Sequence, residues 1–291
     1  MGGNGGRHAG ASDPVVMVID AHVHFWRIGC NDCTWPPPDL TAIHRDFLPE
    51  HWRREADAVG IEAAIAVQSQ PSERDTTWLL QLARDDARIV GVVGWVDLAA
   101  PDASDRIAVL ASHPKLCGLR PMLQDLPEDD WVLQPAVAPA VEAMIAHDLC
   151  FDALVRPRHL PHLLRFAERH PALHIVIDHA AKPDIARGAL DPWRVQITAL
   201  AELPNVSCKL SGLVTEAGER WDFDGLRPYV EHLLATFGPQ RLLWGSDWPV
   251  VNLAADYSHW LNLAETLTGL AGDERAALFG GNAVRVYGIE S

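Results

Sequence analysis

The chain alternates short, nearly unbroken apolar runs with longer stretches in which apolar residues recur every three or four positions. The first pattern suits a strand buried on both faces, and the second a helix with one buried stripe. Eight runs predict strands: Val15 to His24, Ala63 to Gln68, Ile89 to Leu98, Leu116 to Leu123, Leu149 to Val155, His174 to Ala180, Val206 to Leu213 and Arg241 to Trp248. Between them the helical period predicts Pro49 to Val59, Ser72 to Asp86, Asp102 to Ser112, Pro135 to His147, Arg158 to Arg169, Pro192 to Leu203 and Gly225 to Phe237. Asp256 to Leu267 and Asp273 to Tyr287 then supply the last barrel helix and a terminal one.

Each gap suits a crossover helix, so the strands should run parallel, and eight of them favour closure into a (β/α)8 TIM barrel of the α/β class over an open doubly wound sheet. No G-x-G-x-x-G follows the first strand, which weakens the dinucleotide-binding alternative. The segment Cys30 to Leu48, with Trp35-Pro36-Pro37-Pro38, is too Pro-rich for a helix and is expected to distort the barrel with a long loop over its mouth. Residues 1 to 14 are Gly-rich without an apolar stretch and read as a flexible tail in which His8 does nothing, leaving residues 15 to 291 as one catalytic barrel domain.

Composition narrows the function. With 48% hydrophobic and 22% charged residues the chain can fill a large core, and 291 residues are enough for one barrel. A formal charge of -15 argues against nucleic-acid or anionic-membrane partners, both of which need clustered Lys and Arg. No stretch approaches the roughly 20 apolar residues of a membrane span. The five cysteines are odd in number, and three of them lie in apolar strand-like runs, which favours thiols in a reducing cytoplasm. Cys30 and Cys33 form a lone C-x-x-C with no second pair.

In such a barrel the active site gathers at the C-terminal ends of the strands. Strand one ends in Asp20-Ala21-His22-Val23-His24, where two-residue spacing on an extended chain turns both imidazoles to the same side. Strand six ends in Asp178-His179, and strand eight in Gly245-Ser246-Asp247-Trp248-Pro249. A single strand-end His is often only a hydrogen-bonded core group. Three of them meeting a late Asp at one mouth supply neutral nitrogens and a carboxylate, suited to a divalent metal or to a polarised carbonyl and its water. By the same alternation Asp20 and Asp178 point away from the barrel interior and read as structural.

These phrases, Val18-Ile19-Asp20-Ala21-His22-Val23-His24-Phe25-Trp26, Val176-Ile177-Asp178-His179 and Leu243-Trp244-Gly245-Ser246-Asp247-Trp248-Pro249, resemble the amidohydrolase superfamily, and more narrowly its lactonase-rich branch. The resemblance runs from about Met17 to Tyr287 and takes in Gly118-Leu119-Arg120-Pro121, Val155-Arg156-Pro157-Arg158-His159 and Cys208-Lys209-Leu210-Ser211-Gly212-Leu213. It implies a hydrolase, a carboxylic-ester lactonase opening a small-molecule sugar lactone such as an L-fuconolactone in carbohydrate catabolism, acting alone or as a homo-oligomer. The same barrel hosts lactonases for acidic lactones of the pyrone-dicarboxylate or muconolactone type and non-oxidative decarboxylases; a dead sugar-binding barrel is the non-enzymatic alternative.

The resemblance further implies that His22, His24, His179 and Asp247 hold one divalent ion, zinc or manganese, or else hold the lactone carbonyl directly without a metal. Asp247 is then the general base, with His179 beside it in catalysis. Metal-rich relatives add a carbamylated Lys or Glu at strand four and a second His at strand five, where this chain has Arg120 and Asp152, so a binuclear site is not expected. Arg120 and Lys209, ending strands four and seven, are expected to bind substrate, as are Trp26 and Trp248 by stacking on a sugar face and His159 from the loop after strand five. For both Trp residues core packing is an equal competitor, and for His159 so is a place at the start of the next helix.

Overall fold

Near-continuous apolar sequence suits a parallel sheet covered on its outer face, and almost every strand residue here is buried on both faces. The computed structural model describes residues 17–218 and 221–290. Its strands are β1 (Ile19–Val23), β2 (Ala63–Val67), β3 (Ile89–Gly94), β4 (Leu116–Leu119), β5 (Cys150–Ala153), β6 (Ile175–Ile177), β7 (Val206–Leu210) and β8 (Leu242–Trp244). They pair in parallel in sequence order as one eight-stranded sheet. The ends meet at a short seam, where Val23 bridges Trp248, His24 N–H donates to Trp248 O at 2.7 Å and Asp247 N–H donates to His22 O at 2.9 Å. The sheet is thus a nearly closed (β/α)8 barrel.

The crossover helices are α1 (Pro49–Val59), α2 (Glu73–Asp85), α3 (Ala103–Ala111), α4 (Ala138–Ala146), α5 (Leu160–Arg169), α6 (Trp193–Ala201), the short α7 (Leu213–Glu216) and α8 (Phe223–Phe237), with α9 (Tyr257–Thr268) after β8. Their starts follow capping chemistry: Ser72, Asp222 and Asp256 accept backbone N–H groups from Arg74, Gly225 and His259. Leu160, Leu163, Phe166 and Ala167 give α5 its buried stripe. The expected terminal helix is interrupted: α10 (Gly272–Ala276) and α11 (Asn282–Tyr287) flank a π turn over Ala277–Gly281. Asn282 Nδ2 donates to Pro239 O and Leu242 O at 2.7 Å each, and this docking sends Ala283, Val286 and Tyr287 into the apolar cluster at the barrel floor.

The strands are shorter than the apolar runs that predict them, because the last residues of each run turn out of the ladder into the site. The tail at residues 1 to 14, His8 within it and the start of the first run at Val15 lie outside the described residues. The Pro-rich segment does lie over the mouth, tied at its base by the Trp26–Phe47 bridge. Within it Cys30 and Cys33 are joined by a tight turn, Cys33 N–H donating to Cys30 O at 2.8 Å, and all five cysteines are free. No helix of the described residues is long and apolar enough to cross a membrane.

Candidate active site

A cavity of about 510 Å³ opens at the C-terminal ends of the strands, and His24, Arg120, His179 and Asp247 line it. The barrel seam creates the cluster. Because β8 continues past Trp244 alongside β1, Asp247 comes to lie beside the two histidines that precede it by more than 220 positions. Gly245 permits that approach, since a Cβ there would stand 2.7 Å from His22 Cβ. Asp20 bolts the seam from outside, accepting from Ser246 N–H at 2.8 Å, His22 N–H at 3.2 Å and Tyr257 O–H at 2.8 Å. Its structural reading from the sequence holds.

Asp247 Oδ1 lies 3.4 Å from His24 Nε2 and 3.8 Å from both His22 Nε2 and His179 Nε2. Burial alone would raise this carboxyl, but the imidazoles of His179, His24 and His22 around it hold it well below the usual carboxylate range. His22 and His179 stay neutral. Burial pushes His179 down to about 4 and His22 well below its ordinary value, Lys209 adding to the latter.

The ring orientations test whether a metal fits. His24 Nδ1 is 2.9 Å from Val67 O, and a carbonyl only accepts, so the proton is on Nδ1 and the Nε2 lone pair faces the cluster. His22 Nδ1 faces both Asp178 Oδ1 at 3.3 Å and the Lys209 ammonium at 3.2 Å, and its Nε2 is 3.1 Å from His24 Nε2. His22, His24 and Asp247 thereby bring two ring nitrogens and a carboxylate oxygen within 4.8 Å of one another, donors suited to one zinc-like ion. A second grouping, His22, Asp178 and His179, is of another kind, because Asp178 is already committed to Lys209 at 3.0 Å and Arg120 at 3.3 Å. The cations of Lys209 and Arg120 stand there.

Asp178 is the main correction to the sequence reading. Strict alternation turns it outward, yet it lies inside the barrel, because β6 ends at Ile177 and the chain leaves the strand there. His179, Ala180, Ala181 and Lys182 all have positive φ, between 50° and 62°. This left-handed turn puts Asp178 under His22 while His179 and Lys182 both line the cavity. Ser211 Oγ, 2.9 Å from His179 Nδ1, and Trp193 Nε1–H, donating to Ala180 O at 2.7 Å, hold the turn. Gly212 (φ 65°) makes room for it; a Cβ there would sit 2.7 Å from His179 Nδ1.

Lys209 is also elsewhere than expected. It is fully buried below His22, its Nζ 2.6 Å from Asp152, 3.0 Å from Asp178 and 3.2 Å from His22 Nδ1, and it does not line the cavity. Burial alone would lower its pKa, but the two carboxylates raise it, so it stays charged. Asp178, which burial alone would raise, is held well below the usual carboxylate range by Lys209, His22 and Arg120.

Arg120 does reach the cavity, with Nη1 3.4 Å from His22 Nε2 and Nη2 donating to Gln68 O at 2.5 Å. Trp26 is buried, its indole N–H spent on Arg45 O at 2.7 Å, and Trp248 packs on Phe25 and Phe47; neither lines the cavity. The aromatic face that does belongs to Trp35, from the Pro-rich loop. His159 is buried away from the cavity just before α5, where its Nδ1 accepts Arg156 N–H at 2.9 Å. Sequence reasoning missed Trp35, Gln70 and Lys182. The loop carrying Trp35 was visible as a Pro-rich run, whereas nothing in the pattern at Lys182 announces a left-handed turn.

A family model described as amidohydrolase matches residues 19–289. The chain is 51% identical over 277 residues to an L-fucono-1,5-lactonase of Burkholderia ambifaria, the match covering 94% of this chain and 96% of that protein. It is 41% identical over 286 residues to an L-fucono-1,5-lactonase of Burkholderia multivorans, again over 94% and 96%. Among solved structures it is similar to an amidohydrolase of Burkholderia multivorans with bound zinc, at 41% identity and a TM-score of 0.89, covering 94% of this chain and all 100% of that one.

Proposed function

The chain belongs to the amidohydrolase family, and on that premise we propose that it is a carboxylic-ester hydrolase opening a sugar-acid lactone of the L-fuconolactone kind to the free aldonic acid. The observation that carries the reading is the Asp247 carboxylate within 4 Å of three imidazoles at the floor of a cavity of about 510 Å³. Two relatives that match over nearly the whole chain bear the name L-fucono-1,5-lactonase.

Lactone hydrolysis needs a water stripped of a proton and a carbonyl whose developing oxyanion is stabilised. Asp247 takes that proton. The water oxygen bonds to the carbonyl carbon, the ring C–O bond breaks, and Asp247 returns the proton to the departing ring oxygen. Arg120 and neutral His179 lie where N–H donors can meet the carbonyl oxygen. Asp247, far below its ordinary pKa, is a weak base that stays ionised at working pH, so it depends on an acidified water. A divalent ion held by His22, His24 and Asp247, with His179 adjacent, would supply that acidity and polarise the ester. The aldonic acid ionises once formed, so turnover releases a proton. Five free thiols suit a reducing cytoplasm, where carbohydrate breakdown would take place.

The test is proton release, followed with a pH indicator, on L-fucono-, L-rhamnono-, L-galactono- and D-arabinono-1,4-lactones, with chelated and zinc-supplemented samples in parallel. Fast release with the L-fucono form is expected. Silence across the panel, with hydrolysis of a dicarboxylate lactone or carbon dioxide release from an aromatic acid instead, would overturn the reading.

A further inference from the structure

The left-handed turn after β6 does more than aim His179. It delivers Lys182 to the rim of the same cavity, and there the ammonium is 3.3 Å from Glu216 at the end of α7. The pair is mostly shielded, with side chains 18% and 22% exposed. Both members depend on the frame that positions His179. Lys182 N–H donates to His179 O at 2.8 Å, and the chain runs to Glu216 directly from Ser211 and Gly212, which hold the His179 ring.

Among the described residues lining the cavity the cations are Arg120 and Lys182 and the carboxylates Asp125 and Asp247, and each cation has a further carboxylate as partner. Asp178 stands 3.3 Å from Arg120, and Glu216 stands 3.3 Å from Lys182. A substrate carrying a carboxylate therefore finds both cations compensated and two carboxylates facing it. A neutral polyol finds donors and acceptors instead, because Lys182 has three N–H bonds and Glu216 can engage only some of them. We infer that the Lys182–Glu216 pair is a specificity device, with Lys182 holding a substrate hydroxyl and Glu216 cancelling its charge so that the cavity selects neutral polyhydroxylated lactones over carboxylate-bearing ones. This rests on the lactonase reading and names the substrate class of that same site.

Removing the charge of Glu216 frees Lys182 for a carboxylate. In the Glu216→Gln variant, kcat/KM for D-glucaro-1,4-lactone relative to L-fucono-1,4-lactone rises about tenfold, and the gain disappears when Lys182→Met is added. Binding of glutarate, measured by calorimetry without any turnover, tightens in Glu216→Gln and returns to the original value in the double variant. An unchanged ratio and unchanged glutarate affinity in Glu216→Gln, or a gain that survives Lys182→Met, overturns the inference. Should no lactone turn over while glutarate binding still follows Glu216 and Lys182, the charge device stands and the lactonase reading falls.

Discussion

Asp247 and Lys209 are both buried ionised groups, yet removing them should do different things. Asp247 is the cavity carboxylate that stands beside the three imidazoles, so Asp247→Asn is expected to lower kcat on a lactone by about 10² or more, the usual scale for a lost general base, while the melting temperature stays close to that of the parent. Retained turnover would remove Asp247 from that role. Lys209 is expected to act on stability. It is the cation between two buried carboxylates, at 2.6 and 3.0 Å, and Lys209→Met leaves both without it. Breaking a buried ion pair from one side costs about 3–5 kcal/mol, so the urea midpoint should fall steeply, and adding Asp152→Asn should recover part of the loss. A midpoint unmoved by Lys209→Met would mean that the carboxylates are neutral in the folded chain.

The elements contribute their ends more than their lengths. His22 lies within β1, whereas His24, Arg120, His179 and Asp247 stand just past the ends of β1, β4, β6 and β8. The Pro-rich loop has no regular structure to brace it and borrows a clamp from the turn after β2. Gln70 Oε1 accepts from Thr34 N–H at 3.1 Å and Trp35 N–H at 3.3 Å, while Gln70 Nε2 donates to Trp35 O at 2.9 Å. Gln70→Ala should leave the barrel intact and release Trp35 from the cavity wall. The expected result is KM raised severalfold with kcat changed less, together with a faster quench of Trp fluorescence by acrylamide. A fall in kcat alone would mean that the loop acts on the chemistry and not on binding. The apolar runs located every strand, and the helical period located most helix starts to within two positions. The terminal helix was read as continuous because Asp273 to Tyr287 keeps its helical period, and the period contains no sign that Asn282 is needed by carbonyls of the β8 region.

For the molecule as a whole, closure of the barrel is what makes a site. His22 and His24 come from the first strand and Asp247 from beyond the last, so the cluster exists only where the two edges of the sheet join. An ion bound there would cross-link the seam and stabilise the fold by mass action. At zinc a hundredfold above its dissociation constant the gain is about 2.7 kcal/mol, or roughly 5 °C in melting temperature for a chain of this size. Calorimetry on metal-stripped protein should therefore record a rise on adding zinc, and His24→Ala should abolish it. No rise in the parent would mean that the three donors serve the substrate directly.

Much of this protein was legible before any coordinates. The order of eight strands and their helices follows from local periodicity, and the strand ends marked His22, His24, His179 and Asp247, because burial and pleat are properties of neighbouring residues. The orientation of Asp178, the retreat of Lys209 beneath the floor, the exclusion of Trp26 and Trp248 and the arrival of Trp35 and Lys182 were not legible. Each depends on a backbone turn or on a partner far away in the chain: four consecutive left-handed residues after β6, Asp152 and Asp178 around one ammonium, Gln70 reaching back 35 positions to Trp35. A hydrophobic pattern records which side of an element is dry. Which polar groups then meet on that side is decided by the packed chain, since a charge in a barrel interior goes where its counter-charge and hydrogen-bond partners already are.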